Sequence, residues 1–290
     1  MLPNLDHLTI STNGVRLHVV AAGPEQRPLV ILLHGFPEFW YCWRRQIGPL
    51  VEAGYRVWAP DQRGYNTSDK PRGRDAYRLD ALAEDVVGLI DAADRRKAAV
   101  IGHDWGGAVA WRLGSLYPDR LDRIAVINVP HPRVFMALVR RSPRQLLRSW
   151  YMFAFQFPSL PEWVARRNHW QTMVEGLLES SRPGTFSDAD IEQYRNAWSQ
   201  PGAFTAMVNW YRANFWRGLG EMGAEKIATP ALMIWGARDK FIGREAAQPS
   251  VDLCADGRLE LIEEATHWVH HEEPERVNRL LVEFLGENRA

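Results

Sequence analysis

Val100-Ile101-Gly102-His103-Asp104-Trp105-Gly106-Gly107 is the stretch that decides how this chain folds. A β-branched run ends at Ile101, and a helix-length pattern begins after Gly107. The small–x–Asp–x–small spacing between them is that of a nucleophile elbow, in which a side chain is held up on a sharp strand-to-helix turn. Glycine is needed on both sides because neighbouring backbone crowds the strained residue. The elbow residue here is Asp104, not serine or cysteine. An aspartate, with a reference pKa of about 4, is already ionised at neutral pH. It suits displacement at carbon, which forms an alkyl-enzyme ester that a general base must then help to hydrolyse. Taken alone, the pattern also reads as a turn with a helix-capping aspartate.

Working outward, the pattern alternates between buried strands and helices. Asn13-Gly14 marks a hairpin turn before a strand at Val15–Val20. Leu29–Leu33 is a continuous apolar run, expected of a strand buried on both faces, and it ends in His34-Gly35-Phe36-Pro37. A helix follows through Trp43 and Ile47, then a strand at Tyr55–Ala59 and a loop at Asp61-Gln62-Arg63-Gly64. Leu79, Leu82, Val86, Leu89 and Ile90 recur at helical spacing, with Asp80 as a candidate cap. Ala98–Ile101 is the elbow strand, Ala108–Tyr117 its helix, and Ile124–Ile127 the next strand. The alternation predicts an α/β fold, a mostly parallel sheet with helices on both faces. From Val134 to about Gly220 no strand-like run occurs, and prolines at 143, 158, 161, 183 and 201 break helical stretches rich in aromatics and arginine. This reads as an all-helical cap inserted into the core, with core at 1–132, cap at 133–220 and core again at 221–290. Strands at Ala231–Trp235 and Leu259–Ile262 and a helix at Glu275–Leu285 complete the core.

Composition narrows the function classes. The 290 residues are 46 % apolar with a formal net charge of zero, which argues against a nucleic-acid partner held by charge. No signal peptide or membrane-spanning run is read, and two cysteines, Cys42 and Cys254, imply no disulfide framework. The expectation is a cytoplasmic protein with no membrane partner. Thirteen tryptophans are unusual, and six of them (150, 163, 170, 198, 210 and 216) fall in the insertion. Most are assigned to core and pocket walls.

In such a sheet, reactive loops gather at the carboxyl ends of the strands. Asp104 sits on one. Asp239 follows Ala231–Trp235, His267 follows Leu259–Ile262, and His34-Gly35-Phe36-Pro37 follows Leu29–Leu33. The chain order nucleophile, acid, histidine is that of a hydrolase triad. His270 and His271 compete with His267 but lie close to a helix start at Pro274. Asn128, after Ile124–Ile127, cannot be a carboxylate, so Asp239 is the preferred acid.

With these residues in place, the chain resembles the epoxide hydrolases of the α/β-hydrolase superfamily over nearly its whole length. The resemblance rests on His34-Gly35-Phe36-Pro37 with Glu38 and Trp40–Trp43, on Asp61-Gln62-Arg63-Gly64-Tyr65, on Gly102–Gly107, and on His267-Trp268. Within the insertion, Tyr151 precedes Phe155-Gln156-Phe157-Pro158, and Tyr211 stands in Asn209-Trp210-Tyr211-Arg212, like the family's two ring-opening tyrosines. Asn66 departs from the glycine many relatives carry. The resemblance implies that Asp104 is the nucleophile, that His267 oriented by Asp239 is the base, and that Tyr151 and Tyr211 donate to the epoxide oxygen. It also implies an oxyanion hole from the backbone N–H groups of Phe36 and Trp105, and pocket walls at Pro37, Trp105 and Trp268. The two tyrosines have an independent rationale: ring opening releases a strongly basic alkoxide, and a phenol with a pKa near 10 can protonate it. The expected substrate is a hydrophobic epoxide with water, and no metal or organic cofactor is called for. A haloalkane dehalogenase, which shares the aspartate and histidine, is the alternative, and a non-catalytic ligand-binding protein a lesser one. Exposed cap aromatics leave monomer and homodimer both open.

Overall fold

Strand β3 (Leu29–Leu33) is buried along its entire length and sits inside an eight-stranded sheet. Its side chains alternate between two cores, Leu29, Ile31 and Leu33 on one face and Val30 and Leu32 on the other, as the period of two requires. The computed structural model describes residues 4–215 and 226–287. The second cap boundary expected at 220 and the tryptophan at 216 lie outside those residues.

The sheet contains β1 (Asp6–Thr12), β2 (Val15–Ala22), β3, β4 (Arg56–Pro60), β5 (Ala98–His103), β6 (Leu121–Ile127), β7 (Ala231–Gly236) and β8 (Gly257–Ile262). Their spatial order is β1-β2-β4-β3-β5-β6-β7-β8. The β1–β2 and β2–β4 pairs are antiparallel and every later pair is parallel. Strand β1 was not placed from the sequence; it is an edge strand with only partial burial, and pairing with β2 defines it. Helices α1 (Arg44–Glu52), α2 (Leu79–Ala92) and α3 (Trp105–Leu116) belong to the core. Between β6 and β7 come α4 (Pro132–Arg141), α5 (Pro143–Arg148), α6 (Trp150–Ala154), α7 (Leu160–Arg166), α8 (Gln171–Ser180), α9 (Asp188–Trp198) and α10 (Ala203–Asn214). The core resumes with α11 (Ala247–Val251), α12 (Val269–Glu272) and α13 (Pro274–Gly286). Residues of α2 and α3 join the core on the Leu29 face, and those of α1 and α13 join the core on the Val30 face.

The expected cap by Asp80 is not what the structure shows. Asp80 lies inside the first turn of α2 and binds Arg112 at 2.6 Å. The orphan N–H of Leu79 is met instead by Asn214 Oδ1 at 3.0 Å, from the end of α10. Other bonds tie the later cap helices to the core. The Trp198 indole donates to the Pro37 carbonyl at 2.6 Å, the Trp210 indole to the Arg63 carbonyl at 2.9 Å, and the Trp268 indole to Ser180 Oγ at 2.9 Å. Of the cap tryptophans, Trp170, Trp198 and Trp210 are buried as expected, whereas Trp150 and Trp163 are 66 % and 58 % exposed. These two are not part of the core, and neither lines the cavity that holds Asp104.

Arg212 holds the cap helices to one another. Its guanidinium reaches both oxygens of buried Glu162, at 2.7 and 3.1 Å, and the carbonyls of Phe155 and Phe157, both at 2.8 Å. Removing one member of a buried pair strands the other charge, at a cost of about 3–5 kcal/mol. Arg212→Met is therefore expected to lower the unfolding free energy by about 3 kcal/mol or more in urea titrations; an unchanged midpoint would show that the pair contributes no net stability.

Candidate active site

Asp104 is the hinge between β5 and α3, with φ of +49°. A β-carbon on Gly35 would come 2.4 Å from the Asp104 β-carbon, and one on Gly106 would come 2.1 Å from the Leu33 carbonyl oxygen. Only glycine allows the two strand ends to approach the elbow this closely. Asn66 also has a positive φ, +41°, which asparagine tolerates better than most residues, and its amide binds Asp61 at 2.7 Å. The departure from glycine is accommodated.

The two carboxylate oxygens of Asp104 have different surroundings. Oδ1 accepts the backbone N–H of Phe36 at 2.8 Å. Oδ2 lies 3.8 Å from His267 Nε2. Trp105 opens α3, where the first N–H groups have no intrahelical acceptor. Its N–H is therefore not used within the helix.

His267 Nδ1 donates to Asp239 Oδ2 at 2.7 Å. Asp239 is itself fully engaged. Oδ2 also accepts the Asn128 amide at 2.8 Å, and Oδ1 accepts the N–H groups of Phe241 at 2.7 Å and Ile242 at 3.0 Å. Burial alone would raise the Asp239 pKa, but the His267 charge and these donors hold it below the usual carboxylate range. Burial would likewise lower that of His267, yet Asp239 first and then Asp104 and Glu38 push it up to about 9. The shift favours an imidazolium at His267, which lies between the carboxylates of Asp239 and Asp104.

A cavity between core and cap is lined by Asp104, Trp105, Tyr151, Met152, Tyr211 and Ile242, among others. The Tyr151 and Tyr211 rings lie 5.9 Å apart, and Tyr211 packs edge-on to Trp105 at 5.0 Å. Burial, then Asp104, raises the pKa of both phenols, so both hydroxyls are held as proton donors. The structure thus brings Asp104, His267, Asp239, Tyr151, Tyr211, Trp105 and the Phe36 N–H to one place. Pro37 and Trp268, expected as pocket walls, are not among the cavity's lining residues. Pro37 accepts the Trp198 indole through its carbonyl, and Trp268 packs edge-on to His267 at 5.1 Å while bonding Ser180.

Two features escaped the sequence reading. Asn128, set aside because it is no carboxylate, orients Asp239 and also accepts the Gly236 N–H at 2.8 Å. Beneath His267 lies a buried polar cluster. His103 Nε2 bonds the His267 carbonyl at 3.0 Å, and its Nδ1 bonds Glu38 Oε2 at 3.0 Å. Glu38 Oε1 accepts from His271 at 2.7 Å and from the Tyr194 hydroxyl at 2.8 Å. Burial would raise the Glu38 pKa, but His271 and then His103 and His270 hold it well below its ordinary range. The signal was present in Glu38 after Pro37 and in His270-His271 after His267, but the pairing is between distant segments. Glu38, Cys42 and His270 also place their ligand atoms within 4.8 Å of one another.

The chain is similar to known proteins over nearly its whole length. A family model described as alpha/beta hydrolase fold matches residues 28–274. The chain is 50 % identical to the AB hydrolase superfamily protein YfhM of Bacillus subtilis, over 95 % of this chain and 96 % of that one. It is 38 % identical to epoxide hydrolase 4 of Homo sapiens, over 97 % of this chain and 78 % of the relative. Among solved structures, epoxide hydrolase A of Mycobacterium thermoresistibile superposes with a TM-score of 0.88 at 33 % identity, covering 98 % and 99 % of the two chains.

The raised pKa of His267 has a consequence for stability. Its folded value of about 9 lies above an unfolded value near 6.5, so protonation favours the folded state. The contribution is fully present below about pH 6.5 and is lost as pH rises through 9. Relative to His267→Gln, the native chain is expected to lose about 3 kcal/mol of unfolding free energy across that window. Urea titrations at several pH values measure this; parallel pH profiles for the two proteins would refute it.

Proposed function

The chain belongs to the alpha/beta hydrolase family, with epoxide hydrolases among its relatives, and from that premise we propose that it hydrolyses a hydrophobic epoxide to a vicinal diol through an ester on Asp104. The observation that carries this reading is the pair of tyrosines, Tyr211 buried and Tyr151 half-buried, on the cavity that Asp104 also lines. A departing halide is a weak base and needs no proton, so two phenols held as donors favour ring opening over halide displacement.

The substrate oxygen accepts hydrogen bonds from Tyr151 and Tyr211. Asp104 attacks a ring carbon through Oδ2, because Oδ1 is held by the Phe36 N–H. The ring C–O bond breaks, its electron pair goes to oxygen, and a tyrosine supplies the proton. Esterification removes the Asp104 charge that helped to raise the His267 pKa. The imidazolium then holds its proton less tightly, and transfer of that proton through water to the phenolate restores tyrosine and frees Nε2. His267 next deprotonates a water that attacks Cγ of the ester. The oxyanion develops on Oδ1, already 2.8 Å from the Phe36 N–H, with the Trp105 N–H at the start of α3 as the second donor of the proposed hole. Each such donor is worth roughly 3–4 kcal/mol where it has been removed in other enzymes. Collapse of the tetrahedral intermediate releases the diol and returns Asp104.

Incubating His267→Gln with a panel of epoxides and haloalkanes tests the reading by intact-protein mass. The expected result is an adduct of the whole epoxide mass, absent when Asp104→Asn is added. A gain equal to a haloalkane less HX would assign the protein to dehalogenation instead. Tyr151→Phe and Tyr211→Phe are each expected to slow adduct formation by roughly 100-fold, and unchanged rates would remove the tyrosines from the mechanism.

A further inference from the structure

The early cap carries a surface that the reaction does not use. From Pro132 to Trp170 the chain has seven arginines and one acid, Glu162, which is buried against Arg212. Arg133, Arg140, Arg141, Arg144, Arg166 and Arg167 are exposed. Because the whole chain is neutral, this is a local excess of positive charge. The same stretch displays large apolar side chains: Leu147 is 74 % exposed, and Trp150, Phe157 and Trp163 are each more than half exposed. Leu146 and Leu160 add to them. Eight of the ten large apolar side chains exposed among the described residues fall in this one segment of the cap, a concentration that suits an interaction surface. The surface also lies next to the cavity. In α6, Tyr151 and Met152 line the cavity while Trp150 and Phe153 are exposed to solvent.

We propose that this face of the cap docks on an anionic phospholipid bilayer. Its apolar side chains would enter the acyl boundary and its arginines would pair with lipid phosphates. Charge selects the occupant. A second copy packed through the same face would set arginines against arginines. Anionic headgroups supply the missing negative charge, and the layer beneath them takes the leucines and tryptophans. Tryptophan and arginine both suit such a boundary, the one through its amphipathic ring and the other through an apolar stem with a charged tip. Arg167 already lies over the Trp163 ring at 4.6 Å, which keeps cation and aromatic side by side. The side chains come from helices α4 to α7 and the turns between and after them, and a fluid layer accepts such a set without fixed complementarity. No described helix is long and apolar enough to cross a membrane. The sequence expectation of no membrane partner rested on that absence, which does not bear on a face lying against the surface. The inference is independent of the reaction proposed above.

The test is flotation of the full chain with vesicles of equal parts phosphatidylcholine and phosphatidylglycerol, against vesicles of phosphatidylcholine alone. The expected result is flotation with the mixed vesicles, at least about tenfold weaker with the neutral ones, and release by high salt. The combined Arg140→Glu, Arg141→Glu, Arg144→Glu variant should lower partitioning by about 100-fold. The combined Leu147→Ser, Trp150→Ser variant should lower it by at least about tenfold. Unchanged melting temperatures check that both variants fold. Equal flotation with both vesicles, or flotation indifferent to the variants, overturns the proposal. So does protein that ignores vesicles but forms a dimer broken by Leu147→Asp in light scattering, which would assign the face to a second copy.

Discussion

Everything at this site depends on how closely three backbone segments approach around Asp104. The elbow has a left-handed backbone, the end of β3 passes against it at Gly35, and α3 starts against it at Gly106. A single added methyl at either glycine would collide with backbone or with the aspartate itself. That closeness allows the Phe36 N–H to reach one carboxylate oxygen while the other faces His267. The two oxygens are thereby made inequivalent before any substrate arrives.

The second constraint is electrostatic. A buried imidazolium is costly unless it is paired, and here it is paired twice, with Asp239 and with Asp104. Asp239 can stay ionised in the interior because Asn128 and two backbone N–H groups bind it as well. Because Asp104 is one of the two partners, whatever neutralises that carboxylate also weakens the hold on the His267 proton. The geometry therefore couples the charge on Asp104 to the charge on His267. The buried Glu38–His103 pair fixes the His267 backbone from below, so the ring is held from both its side-chain and its main-chain ends.

The cap divides into two parts by how it spends its polar side chains. From α8 to α10, side chains bond back to core carbonyls, N–H groups and indoles, and its tryptophans are buried. From α5 to α7, fewer bonds return to the core, through Gln145 to Phe241 and Gly243, and the large side chains face solvent. Tyr211 comes from the first of these parts and Tyr151 from the second, so the cavity lies where an anchored half and an outward-facing half meet.

The amino-acid sequence by itself determined the parallel sheet, the elbow and the chemical identity of Asp104. These are local: an unbroken apolar run such as Leu29–Leu33 bounded by turn residues fits a strand buried on both faces, and glycines at fixed offsets from Asp104 suit a crowded turn. It also pointed to Asp239, His267, Tyr151 and Tyr211 as candidates, each by residue type and position. Tertiary structure alone decided what lies between distant segments. Strand β1 exists because β2 templates it, Asn128 earns its place by bonding a side chain over a hundred positions away, and Asn214 rather than Asp80 satisfies the start of α2. The same holds for Trp150 and Trp163, which share a composition with Trp198 and Trp210 but not a direction. Periodicity and motif spacing record contacts within a turn or a strand; a hydrogen bond across the fold leaves no local pattern, because either partner alone is an ordinary polar residue.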